Sequence, residues 1–129
     1  MNIDNLKLDF TKLNGLIPVV TQDALSNKIL MLAFVNKEAV EKTIETGKAT
    51  YFSRSRSKLW VKGEESGNFQ EIVEIRVDCE NNSLLYIVNQ KGLKASCHTG
   101  HESCFFRSLK NGDWVHNGEK KIFNPEDVY

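Results

Sequence analysis

From Phe69 to Cys79 the chain alternates, with Phe69, Val73, Ile75, Val77 and Cys79 on one side and Gln70, Glu74, Arg76 and Asp78 on the other. That period of two predicts a half-buried β-strand. Glu80-Asn81-Asn82 is turn chemistry, and Leu84 to Val88 predicts the returning partner. A chain built around such a hairpin needs further strands to cover its apolar face, and the sequence supplies them. Leu16 to Thr21 is a β-branched run broken by Pro18, which predicts an edge strand. Ile29 to Val35 predicts a second strand, joined to the first through the polar stretch 23–28. Asn36 reads as the N-cap of a helix over 37–46, with Ala39, Val40 and Ile44 on one face and Gly47 as its stop. Ala49 to Ser53 and Cys104 to Leu109 predict two more strands. Asn111-Gly112 and Asn117-Gly118 are hairpin signals that extend a meander toward the C-terminus.

The predicted architecture is therefore α+β, a mainly antiparallel β-roll or barrel-like sheet with one or two helices, and not a doubly wound fold. No repeat, low-complexity tract or linker divides the chain, so residues 1–129 are read as a single domain. Seventeen basic residues balance seventeen acidic ones, which argues against nucleic acid as a partner. The longest apolar stretch, Ile29 to Val35, is too short to span a bilayer. The first twenty residues lack a cationic start followed by an apolar run, so no secretory signal is expected and the expected location is cytoplasmic. Three cysteines without an export signal predict reduced thiols, used for metal binding, catalysis or burial.

Cys79, Cys97 and Cys104 contain no CxxC knuckle, and their spacing leaves two readings open: small core hydrophobes on strands, or metal ligands. Cys97 favours metal, because it lies in the polar glycine loop Ser96-Cys97-His98-Thr99-Gly100, where a merely buried thiol has little purpose. Three thiolates with one open position describe a catalytic zinc site. His98, beside Cys97, is the candidate for proton transfer; His101 is ambiguous and His116 reads as a satisfied polar residue.

Asp78, Glu80 and Asn82 place oxygen ligands around Cys79. If the strand persists to residue 80, Asp78 and Glu80 share one face and Cys79 takes the other. The oxygen face suits a hard ion such as magnesium and the sulfur face suits zinc; an ordinary polar β-turn is the alternative. Ser53-Arg54-Ser55-Arg56-Ser57-Lys58-Leu59-Trp60-Val61-Lys62 carries four cations in nine residues. Such a strip is either a solvated loop around a core tryptophan or a phosphate-binding surface with Trp60 stacked on a base.

Taken in order, LIPVVTQD, SRSR, LWVKGEESG, VDCE and CHTGHESCF resemble the phosphoribosyl-AMP cyclohydrolase family over about Gly15 to Arg107. The resemblance implies a homodimer with shared active sites. It carries zinc ligands onto Cys79, Cys97 and Cys104, with Cys79 supplied by the other subunit. A magnesium motif of three aspartates maps onto Asp78, Glu80 and Asn82, of which only the first is an aspartate. The implied reaction is hydrolytic opening of the purine ring of 1-(5-phosphoribosyl)-AMP at the N1–C6 bond, the third step of histidine biosynthesis. His98 is the implied proton carrier. Arg54, Arg56 and Lys62 are expected to hold the phosphates, and Trp60, Glu64 and Ser66 to line the site. No fused pyrophosphohydrolase is expected before Tyr129. Two rivals are a zinc base deaminase, whose H-x-E and P-C-x-x-C signature is missing, and a non-catalytic zinc-stabilised binding module.

Overall fold

The computed structural model describes residues 1–127. Strands β1 (Ile17–Asp23) and β2 (Ile29–Val35) form the first hairpin, in register from Ile17 opposite Val35 to Gln22 opposite Ile29. The Asp23 carboxylate closes the turn by accepting the backbone N–H groups of Ser26 and Leu25 at 2.8 and 3.2 Å. Helix α1 (Lys37–Thr46) follows as expected. Asn36 Oδ1 accepts the Ala39 N–H at 2.8 Å, and Gly47, at φ 73°, donates its N–H to the Thr43 carbonyl. One detail differs: Ala39, Val40 and Thr43 are buried, whereas Ile44 is partly exposed. The helix turns Thr43 inward because its hydroxyl has partners there, the carbonyls of Ala39 and Thr50.

Strands β3 (Thr50–Ser53) and β4 (Lys58–Val61) form a separate hairpin whose loop is the arginine–serine strip. Strands β5 (Gln70–Val77) and β6 (Leu84–Gln90) are the hairpin predicted from alternation. A shift of register between Ile72 and Glu74 alters which side chains face in. Gln70 is fully buried, and Ile72 and Ile75 pack on the core, while Val73 and Val77 are exposed. The bulge adds one residue and reverses the faces beyond it. Strands β7 (Arg107–Lys110) and β8 (Asp113–His116) are joined by Asn111-Gly112, both at positive φ as a tight primed turn requires.

The fold is α+β, but the expected roll or barrel does not close. The strands form a four-stranded sheet in the order β2-β1-β6-β5 and two separate two-stranded pairs. The main sheet is mixed, because β1 runs parallel to β6 from Val19 opposite Leu84 to Asp23 opposite Val88. β1 is thus internal, not an edge strand. Pro18 is tolerated because the ladder to β6 begins only at Val19, one residue after the imide that lacks an N–H. The residues from Cys104 to Phe106 form no strand, and Asn117-Gly118 leads to an isolated bridge between His101 and Lys121 instead of another meander strand.

The core lies between one face of the main sheet, α1 and the β3–β4 hairpin. It is built from Ile17, Val19, Leu30, Val35, Ala39, Val40, Tyr51, Tyr86 and Val88. Through it runs a polar network. The Tyr51 hydroxyl donates to Gln70 Oε1 at 2.5 Å and so accepts from Thr21 Oγ1 at 2.8 Å. Burial drives the Tyr51 phenol well above its ordinary pKa, so this proton stays in place. On the opposite face Pro18, Val20 and Leu85 are half-buried and Leu32 is 50% exposed, and Val77, 49% exposed, joins them at the end of the sheet. They floor an apolar groove of about 510 Å³. No helix among the described residues is long and apolar enough to cross a membrane.

The network carries the first prediction. Tyr51→Phe removes one oxygen and strands two buried polar groups, so unfolding in urea is expected to show a loss of about 1–3 kcal/mol. An unchanged midpoint would mean that Gln70 and Thr21 satisfy each other without the phenol.

Candidate active site

A cavity of about 570 Å³ opens where the β3–β4 hairpin meets the loop after β6. Two glycines shape the loops around it. Gly63 has φ +91°, and a Cβ there would lie 2.4 Å from the Phe69 nitrogen; this lets the turn 63–67 fold back on itself. Gly100, also at φ +91°, would place a Cβ 1.9 Å from the Phe123 carbonyl oxygen. The chain needs that close approach, because the Gly100 carbonyl accepts the N–H of Ile122 at 2.6 Å. Residues 120–123 thereby strap the cysteine loop from outside. Lys28 adds to the strap, bridging Glu102 at 2.9 Å and Glu119 at 2.6 Å; these carboxylates raise its pKa.

The loop is held equally firmly from within. Cys104 donates its N–H to the Leu30 carbonyl at 2.7 Å, and Ser103 Oγ donates to the Ile29 carbonyl at 2.8 Å, so the loop hangs from β2. Ser96 Oγ donates to Gln90 Oε1 at 2.6 Å and accepts Gln70 Nε2 at 3.4 Å, which joins the loop to the Tyr51 network.

Arg56, Trp60, Lys62, Glu64, Ser66, His98 and Cys104 all line this cavity. Trp60 rests its ring 5.0 Å from that of Tyr51. Lys62 is 7% exposed and its ammonium donates to the Ser96 carbonyl. Burial lowers its pKa, and the neighbouring Cys104 and Cys97 sulfurs oppose that shift. An ammonium carries three donors, so two remain for another ligand. Arg54 does not line the cavity; its guanidinium lies 4.0 Å over the Phe34 ring.

Cys97 is buried, whereas Cys104 is an exposed residue that nevertheless lines the cavity. The neighbouring Cys104 thiol holds the Cys97 pKa below its ordinary value, at about 5, and the hydrogen bond with Thr99 helps. The same pairing pushes Cys104 up. One thiolate beside one thiol is a donor set suited to a soft, thiophilic ion.

Cys79 is exposed on the turn between β5 and β6, with Asp78, Glu80 and Asn82 around it. Among the described residues of one chain, no three His, Cys, Asp or Glu side chains converge as a metal site. The Asp78 carboxylate serves its own turn, accepting the N–H groups of Asn82 at 2.9 Å and Ser83 at 3.1 Å, which lowers its pKa. Asn82 Nδ2 donates to Glu80 Oε2 at 3.3 Å, and Lys12 stands 3.5 Å from Glu80.

A family model described as phosphoribosyl-AMP cyclohydrolase matches residues 31–106, a span that holds every residue lining the cavity and all three cysteines. The chain belongs to this family. A phosphoribosyl-AMP cyclohydrolase from Desulfatibacillum aliphaticivorans is 52% identical over 124 residues, covering 96% of this chain and 98% of the relative. Another from Nitrosospira multiformis is 53% identical over 116 residues, 90% of this chain and 88% of the relative. A third, from Geobacter sulfurreducens, is 46% identical over 124 residues, 96% and 98% of the two chains. The chain is accordingly a hydrolase of the cyclohydrolase family, as the ordered motifs implied.

Sequence reasoning passed over Ser96, Thr99 and Gln70, which surround the cysteines. Ser96 and Thr99 sat inside the motif that was read for its cysteine and histidine. Gln70 carried no signal, because its burial depends on the bulge.

The asymmetry of the two paired sulfurs is open to measurement. In chelator-treated protein, the ultraviolet thiolate absorbance that Cys97→Ser removes is expected to be present at pH 6 and to fall only as the pH drops toward about 5. The sign follows from a lowered pKa: the thiolate is present above that value and lost beneath it. Absorbance that titrates in the ordinary thiol range instead would show that Cys104 does not lower the Cys97 pKa.

Proposed function

We propose that this protein is a zinc-dependent hydrolase that opens the purine ring of 1-(5-phosphoribosyl)-AMP at the N1–C6 bond, the third step of histidine biosynthesis. The observation that carries this reading is one cavity that brings Arg56, Trp60 and His98 together with Cys104. The activity for which the relatives are named supports the substrate.

The proposed roles follow from position. Arg56 and the free donors of Lys62 hold one phosphate in the cavity, and Arg54, on the same turn, reaches the other after leaving Phe34. Trp60 offers a ring face to the base, with Tyr51 fixing its tilt. Glu64 and Ser66 border the same space and supply an acceptor and a hydroxyl for the sugar. His98, exposed at the cavity, carries a proton between the attacking water and the departing N1. Cys97, Cys104 and a third thiolate would hold zinc, which when bound would supply Lewis acidity toward a water.

The third sulfur is proposed to be Cys79 of a second copy, in a homodimer. Two features support this. Cys79 stands apart from Cys97 and Cys104 within one chain. It also follows Val77 and Asp78, which with Leu32 line the open apolar groove that a second copy would cover. The expected outcome is that Cys79→Ser and Cys97→Ser each lose zinc and turnover, and that mixing them restores part of both. Such a hybrid carries both lesions at one interface and none at the other. Subunit exchange without recovery would place all three ligands in one chain.

Magnesium is a separate proposal, resting on Asp78, Glu80 and Asn82. Their donor set fits it only weakly, since Asp78 already caps its turn and position 82 brings an amide without charge. Asn82→Asp is expected to lower the magnesium concentration for half-maximal activity, with zinc saturating. The same value in both proteins would leave position 82 a turn residue.

A further inference from the structure

The buried side of the cysteine loop contains a chain of hydrogen bonds that the cavity residues do not explain. Thr99 Oγ1 lies 2.9 Å from Cys97 Sγ and 2.8 Å from His101 Nδ1. His101 is 8% exposed, unlike His98, and its imidazole lies flat against Phe106, with centroids 3.8 Å apart and planes 3° apart. The His101 carbonyl accepts the Cys97 N–H at 3.1 Å, and the backbone of residue 101 bridges to Lys121 in the outer strap. The stack on Phe106 therefore fixes the ring, and the backbone bond and the strap fix the residue that carries it.

Hydrogen-bond accounting sets the direction of this chain. A thiolate that ligates a metal has no proton and can only accept. Thr99 has one hydroxyl proton, which goes to the sulfur, so its oxygen must accept from His101 Nδ1–H. The order is then imidazole to hydroxyl to sulfur, and it selects the tautomer that carries hydrogen on Nδ1. A hydroxyl free to rotate would hold the sulfur loosely; one anchored at its far side by a stacked ring points in one direction.

We propose that Thr99 and His101 act as a brace that aims the Cys97 sulfur at zinc, so that both are positioning residues and neither touches substrate. The proposal rests on the zinc reading above. Groups that orient a metal ligand from outside typically change metal affinity by about 10–100-fold when removed.

The test is zinc affinity of the purified full-length protein, measured by competition with a chromophoric chelator. Thr99→Val keeps the shape and removes the hydroxyl, and is expected to weaken zinc about 10–100-fold. Thr99→Ser restores the hydroxyl and should bind within a few-fold of wild type. His101→Phe keeps a flat ring against Phe106 and removes Nδ1; it should weaken zinc in the same direction, and it carries the test if Thr99→Val fails to fold. His101→Asn, with a donor near the Nδ1 position, should recover part of the loss. With cobalt in place of zinc, the sulfur-to-metal charge-transfer band should shift in Thr99→Val and His101→Phe, while KM for phosphoribosyl-AMP stays as in wild type. Wild-type protein that takes up no zinc would overturn both this inference and the metal reading. Normal zinc uptake by wild type with unchanged affinity in Thr99→Val and His101→Phe would overturn the brace alone.

Discussion

The hydroxyl of Tyr51 sits where β1, β3 and β5 come together, and much of the molecule is arranged around satisfying it. Its proton goes to Gln70 and its lone pair to Thr21, in a place with no access to water. A buried polar group without a partner costs about 1–3 kcal/mol, a sizeable part of a small domain's stability. Slipping any of the three strands by one residue would turn Thr21 or Gln70 away and impose that cost. The network therefore works as a register lock, and through Ser96 it ends one residue before Cys97. The position of the cysteine loop is thus tied to the strand register of the core.

What the sequence made legible follows from the range of the interactions involved. Helix α1 was readable to the residue, because Asn36 and Gly47 act on groups within a turn of themselves. The β7–β8 turn was readable for the same reason: Asn111 and Gly112 answer to their own backbone. The internal place of β1 was not, since Pro18 speaks against it and only the late start of the β6 ladder reconciles the two. Nor was the reversal of faces in β5, where alternation was clear but one inserted residue changed its meaning. The candidate site divides in the same way. The arginine strip and the cysteine–histidine loop announced themselves as clusters in one stretch of chain. That they share a cavity, that Arg54 turns to Phe34, and that Thr99 and His101 lie behind Cys97 depend on tertiary packing.

The cavity and the Cys79 turn illustrate two ways of using polar residues. Around Cys97 nearly every donor and acceptor is directed at another part of the loop or at the strand beneath it, so the sulfurs are presented by a rigid frame. At Cys79 the acids and amides mostly satisfy their own turn, and the thiol is left exposed. A frame that is complete in itself suits ligands that must be ready before an ion arrives. A free thiol on a tight turn suits a group that is presented outward to something else.

The parallel pairing of β1 with β6 has a consequence for how the chain comes together. Val19 must find Leu84, with a hairpin, a helix and two more strands between them in the chain. Closing such a span yields no reward until most of its entropy has been spent, so the step is intrinsically slow compared with forming either local hairpin. During synthesis β1 has only β2 beside it, and its other edge waits open until β6 has left the ribosome. The cysteine loop follows β6 immediately and depends on Gln90 and on the strap beyond Gly112 for its shape. Thiol chemistry in this protein is therefore the last feature to mature, reached only after the slowest contact in the fold has been made.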